Sequence, residues 1–167
     1  MTIMEDIKRI LTVSWITQYW NETVHSAVAL AAKYDAELSV IHVVDTSWMK
    51  DWYLPMKLNE DEHQEGMERI KAELNSIINR EKKEGMKVKT IIKEGDPVEE
   101  IIKVIEKEKI DLCVLRANEE SRIEHFMVGK SNDELILKMP CSILLVKSEP
   151  GKKSARIRVW FRQDADL

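Results

Sequence analysis

Apolar residues fall along this chain in short runs that alternate with longer, periodic stretches. Residues 7–13 (IKRILTV) are apolar and β-branched over a span too short for a helix, which reads as a strand buried on both faces. Trp20, Val24, Ala27, Val28 and Ala31 then recur at helical spacing, and that helix should end near Tyr34 and Asp35. Residues 37–44 (ELSVIHVV) read as a second buried strand. Residues 45–62 hold Trp48, Trp52, Tyr53 and Pro55 and show no clear period. Beyond them Met67, Ile70, Leu74, Ile77 and Ile78 form one apolar stripe in a charged sequence, the mark of a helix with a single core-facing side. Gly85 stops it, and residues 87–93 (KVKTIIK) read as a third strand.

The next helix has the strongest local signal in the chain. Asp96 can cap it, Pro97 suits its first position, and Glu99 stands where a capping box needs an acid. Val98, Ile101, Ile102 and Ile105 give its buried side. Residues 110–115 (IDLCVL) read as a fourth strand, and the polar segment 116–122 leads into a helix running to about Lys138. Pro140 stops that helix, and residues 141–147 (CSILLVK) make a fifth strand. Strand and helix alternate four times before a closing strand, which predicts an α/β fold: an open, five-stranded, mainly parallel sheet with helices on both faces. Ligands of such sheets bind beyond the carboxyl ends of the strands. The segments that can carry chemistry are therefore 13–20, 43–51, 93–97 and 116–131.

Length and composition narrow this further. The 167 residues suggest one domain over 1–148, followed by a distinct tail over 149–167. With 44% hydrophobic and 34% charged residues, the chain reads as soluble and folded. A net charge of −4 argues against a general nucleic-acid binder, which needs a basic face. From Gly151 onward five Lys/Arg stand against two Asp, a net of +3, so the rest carries −7 of the total −4. Within that tail Arg156, Arg158 and Arg162 interleave with Ile157, Val159 and Phe161, an alternation that fits an extra strand or a dimer arm. Residues 10–32 contain only one charge, Glu22, but Ser14, Thr17, Gln18, Asn21, Thr23, His25 and Ser26 disqualify them as a membrane span. No export signal is visible, so a cytoplasmic location is expected. Cys113 and Cys141 lie in apolar runs and read as buried, reduced thiols. The four histidines are not at metal-ligand spacing, and no metal site is expected.

The chain resembles a universal stress protein domain. The likeness rests on ILTVS, on ALAAKYDAELSVIHVVD, on EGDPVEEIIKVIEKEKIDLCVL and on IEHFMVGKSNDELILKMPCSILLV, in that order. Members of that family that bind ATP resemble one another in a glycine-rich loop after the fourth strand: Gly, two residues, Gly, nine residues, Gly, then Ser or Thr. Glycines there let backbone amides approach phosphate without a side chain in the way. The three positions correspond here to Arg116, Glu119 and Gly129, with Lys130 in the hydroxyl position. Glu119 sets a carboxylate against phosphate charge, and Trp15 replaces an Asp that meets nucleotide in binders.

The resemblance thus implies a non-enzymatic regulatory protein of the stress response that binds no ATP in the usual mode, has no expected cofactor, and acts on an unidentified protein partner. It also implies a homodimer through the last strand, from Ser142 to Val146. The alternative is an adenine-nucleotide binder with an altered pocket made by Ser14, Val43, Gly129, Ser131 and Asn132, Arg116 or Arg122 countering phosphate charge. Gly129-Lys130-Ser131 imitates the end of a phosphate-binding P-loop, but Glu124 stands where that motif needs glycine. His125 beside Glu124 has no nucleophile nominated near it, so it reads as packing or surface. Trp15, Trp20, Trp48, Trp52 and Tyr53 gather in or near the expected mouth, as packing under a long loop or as a contact surface.

Overall fold

The computed structural model describes residues 6–14, 20–46, 60–116, 130–147 and 156–160. Six strands and four helices lie in these segments: β1 (Arg9–Ser14), α1 (Trp20–Tyr34), β2 (Glu37–Asp45), α2 (Glu60–Glu81), β3 (Val88–Gly95), α3 (Pro97–Glu108), β4 (Leu112–Arg116), α4 (Lys130–Lys138), β5 (Ser142–Lys147) and β6 (Arg156–Trp160). The sheet order is β3-β2-β1-β4-β5-β6. The five strands expected from the apolar runs are all parallel to one another. To these the tail adds β6, antiparallel to β5, with Lys147 opposite Arg156 and Ile143 opposite Trp160.

Alternation along the central strands explains why they read as unbroken apolar runs. Ile10, Val40, Val114, Leu144 and Val146 join Val24, Val28, Leu74 and Ile78 in one core, under α1 and α2. Their neighbours Leu11, Val13, Ile41, Cys113, Leu115 and Ile143 join Val98, Ile101, Ile105 and Leu135 in the other, under α3 and α4. Each central strand is thus covered on both sides, which is what parallel pairing requires. Burying each large aliphatic side chain contributes about 1.5–3 kcal/mol before entropy is counted.

Local chemistry sets the helix ends. Asp96 is the N-cap of α3 in extended geometry (φ −74°, ψ 122°), and its side chain accepts from the Glu99 amide at 3.0 Å. Lys109 closes the helix in the left-handed region at φ 54°. The helix α2 is tied down from both ends. His63 in its first turn meets Glu94 of β3 at 2.6 Å, and Glu81 in its last turn meets His25 of α1 at 2.9 Å.

Two expectations meet the structure differently. β5 is not the edge of the sheet: β6 of the same chain pairs along Ile143–Lys147, so the stretch from Ser142 to Val146 expected to join two copies already carries a neighbour over most of its length. The last helix is described only from Lys130, and the expected helical residues 124–128 lie outside the described segments.

Candidate functional site

In a parallel sheet all carboxyl ends share one rim. The chain runs outward from β1 to β3 and then returns to β4 on the other side of β1, so the order reverses between β1 and β4. A crevice at that reversal is where such sheets hold ligands. Its described rim consists of Ser14 at the end of β1, His42 and Val43 near the end of β2, Arg116 at the end of β4, and the first turn of α1.

Ser14 is 1% exposed and pairs with His42 across the ladder. The His42 ring donates from Nδ1 to the Ser14 carbonyl at 3.0 Å. Burial lowers the pKa of His42, against the opposing pull of the Ser14 carbonyl bond and the Glu73 charge. The uncharged ring with its proton on Nδ1 is the form that suits this site. One layer deeper, the Thr12 hydroxyl donates to the Val114 carbonyl at 3.2 Å, stitching β1 to β4.

The Ser14 Oγ, by contrast, has no hydrogen-bond partner among the described residues although it is buried. The same holds for Thr23 Oγ1, on a residue 0% exposed, and for Glu22 Oε2, both in the first turn of α1. Leaving a buried polar group unmatched costs about 1–3 kcal/mol. Two hydroxyls and one carboxylate oxygen unmatched among the described residues make this rim a candidate for ligand contact.

Of the residues expected to bind nucleotide, the structure brings Ser14 and Val43 to this rim, with Arg116 beside them. Val43 is 7% exposed and packs with Val13 and Ile41 in the core under α3. Arg116 is half-buried and stands opposite Val146. Ser131 and Asn132 fall in the first turn of α4. Gly129, Trp15, Glu119, Arg122, Trp48, Trp52 and Tyr53 lie outside the described residues. His42, Glu22 and Thr23 are rim residues that hydrophobic patterning missed. A polar residue inside ELSVIHVV was the available signal for His42, and the polar start of an otherwise apolar helix was the signal for Thr23.

The donor set fits some ligands better than others. Hydroxyls at Ser14 and Thr23 can donate to a carbonyl, a ring nitrogen or phosphate oxygen. Glu22 can only accept, when ionised, which suits a ribose hydroxyl or an amine and opposes phosphate. Among the described residues no group of three or more His, Cys, Asp or Glu could hold a metal ion. Cys113 is fully buried, and desolvation pushes its thiol well up; Cys141 is pushed up to about 12, mainly by burial. Both are weak nucleophiles in this state. Among the described residues no helix is long and apolar enough to cross a membrane.

The sequence model of the Universal stress protein family matches residues 18–147. A universal stress protein of the archaeon Methanocaldococcus jannaschii is 30% identical over 138 residues, covering 79% of this chain and 76% of that protein. Among solved structures, the protein MJ0577 of the same archaeon superposes with a TM-score of 0.70 at 23% identity, over 86% of this chain and 97% of that one. The universal stress protein from Archaeoglobus fulgidus in complex with dAMP gives a TM-score of 0.56 at 14% identity, over 85% and 98%.

Proposed function

The chain belongs to the universal stress protein family, and from that premise we propose that it is a non-enzymatic regulatory protein of the stress response, working through protein contacts without holding ATP in the family's usual mode. Arg116 carries the argument. The residue in the place of the loop's first glycine is a long, half-buried cation at the end of β4. A backbone cradle for phosphate needs that position bare. The buried Glu22 carboxylate oxygen on the same rim, unmatched among the described residues, adds repulsion to a triphosphate. Calorimetric titration of the full chain with Mg-ATP, with ADP and AMP beside it, tests the reading. No heat up to millimolar nucleotide is the expected result, and micromolar affinity would overturn it.

A second reading has its own support. The Ser14 and Thr23 hydroxyls, unmatched among the described residues, and Val43 near the end of β2 could serve an adenine nucleotide in an altered pocket completed by Gly129, Ser131 and Asn132. The dAMP bound by the Archaeoglobus relative is the ligand class this reading carries over. It requires nucleotide to raise the melting temperature by mass action, and Ser14→Ala to remove that rise.

The proposal includes a homodimer, a cytoplasmic setting suited to two unpaired thiols, and a division of the chain into a domain over 1–148 and a basic tail over 149–167. Because β6 lies on β5, a contact at Ser142 to Val146 needs β6 to be exchanged between copies or moved aside. Val159→Pro would break the β5–β6 ladder opposite Leu144, since proline cannot donate to it. Sedimentation should find a dimer for the native chain and a changed oligomeric state for the variant; a chain that is monomeric in both forms refutes the dimer.

A further inference from the structure

The sheet has two borders, and they differ. One is β6. The other is β3, whose outer side pairs with no strand among the described residues. Alongside β3, on the α3 side of the sheet, runs an open groove of about 530 Å³. Its floor includes Ile91 and Val104, both in or against the core under α3. Its walls carry four lysines: Lys89 and Lys93 from β3, Lys103 and Lys107 from α3. Two glutamates answer two of them, Glu108 at 2.9 Å from Lys89 and Glu100 at 2.7 Å from Lys103. Lys93 and Lys107 are exposed and make no ion pair among the described residues.

We propose that this border is a docking site for an extended acidic segment of a partner protein, which adds to β3 as a further strand and sets carboxylates against Lys93 and Lys107. Three observations support that occupant. The outer side of β3, unpaired among the described residues, offers main-chain donors and acceptors to an extended chain, the usual basis of strand addition. Lys89 and Lys93 are four residues apart on one face of the strand, about 13 Å at strand rise, so acids at alternate positions of an added strand come within reach. The chain as a whole is acidic, at −4, whereas the groove carries four lysines against two glutamates, a local reversal of sign that favours an acidic segment. Lysine on a border strand also discourages pairing with neutral or basic strands. The same side chains that prevent indiscriminate association therefore select for acid.

This gives a chemistry to the protein contacts proposed above and rests on that reading. Its test does not touch the nucleotide rim, so failure here leaves the calorimetric outcome untouched and the two readings fail separately. The test is fluorescence anisotropy of a labelled ten-residue peptide alternating Glu and Thr, titrated with the full chain. A second peptide with proline at three of the Thr positions keeps the charge and cannot pair. Inorganic polyphosphate serves as an anion without a peptide backbone. The expected result is binding of the first peptide, weakened at least tenfold by Lys93→Glu with Lys107→Glu and at least tenfold for the proline peptide. Both lysines are exposed, so the double variant should keep its melting temperature; Lys93→Gln with Lys107→Gln provides a milder check. No binding up to millimolar protein, equal binding of the proline peptide, or indifference to the double substitution would each overturn the proposal. Polyphosphate that binds more tightly than the peptide with the same lysine dependence would assign the groove to simple anions, and would overturn it too.

Discussion

The two ends of the central strands are built on opposite terms. At the amino end, Asp111 Oδ2 accepts from the amides of Lys8 and Arg9 at 2.9 Å each, and the Asp111 amide donates to the Arg9 carbonyl at 2.9 Å. The Glu37 amide donates to the Lys8 carbonyl at 2.8 Å. One carboxylate thus clasps the start of β1 to the start of β4, with these polar groups matched. At the carboxyl end, Ser14, Glu22 and Thr23 keep buried oxygens with no partner among the described residues. Among the described residues, then, the polar groups are matched at the amino end and unmatched at the carboxyl end.

Breaking the clasp should have the largest effect. Asp111→Ala removes two charge-assisted bonds and should cost about 2–3 kcal/mol in urea unfolding; an unchanged midpoint would deny the amino end its structural role. A somewhat smaller loss belongs to Gly95→Ala at the carboxyl end of β3. Gly95 has φ +139°, and an added Cβ would lie 3.3 Å from Glu100 Cγ. Backbone strain of this kind costs about 1–3 kcal/mol, measurable as a lowered melting temperature.

His42 gives the comparison a pH axis. Burial holds its pKa below the ordinary 6.5, so the native state takes up a proton less readily than the unfolded chain. Stability from the uncharged ring is fully present above pH 6.5 and is lost as pH falls through the lowered folded-state value. His42→Asn keeps a donor for the Ser14 carbonyl and removes the titration. Denaturation at pH 7.5 and pH 5 should show a smaller drop for the variant than for the native chain, and equal drops would acquit His42. The smallest effect is expected from Thr23→Val, which deletes an unmatched hydroxyl at nearly constant volume. Stability should stay level or rise by up to about 1 kcal/mol; a clear loss would mean the hydroxyl is satisfied in the folded protein.

The sheet was legible in the sequence because its middle strands are covered on both sides. Residues such as Ile10 and Leu11, or Val40 and Ile41, face opposite cores, so both must be apolar and the run has no gap. The cap at Asp96 was equally plain, since its signal is local and complete within four residues. The rim was less legible. Periodicity tells which side of an element a residue faces, not which residues of distant segments share an end. Ser14 was reached through family resemblance, while His42 and Thr23 sit inside stretches whose pattern marks them only as core. That β6 pairs with β5 depends on tertiary pairing between alternating stretches, and alternation alone does not name a partner strand.

The position of β6 also has a consequence in time. β6 follows β5 along the chain, and at about 5–20 residues per second the stretch from 148 to 160 arrives in roughly one to three seconds. During that interval the parallel body can be assembled while β5 still shows an uncovered apolar flank. Order of synthesis alone therefore leaves β5 open to any extended strand until its own β6 reaches it.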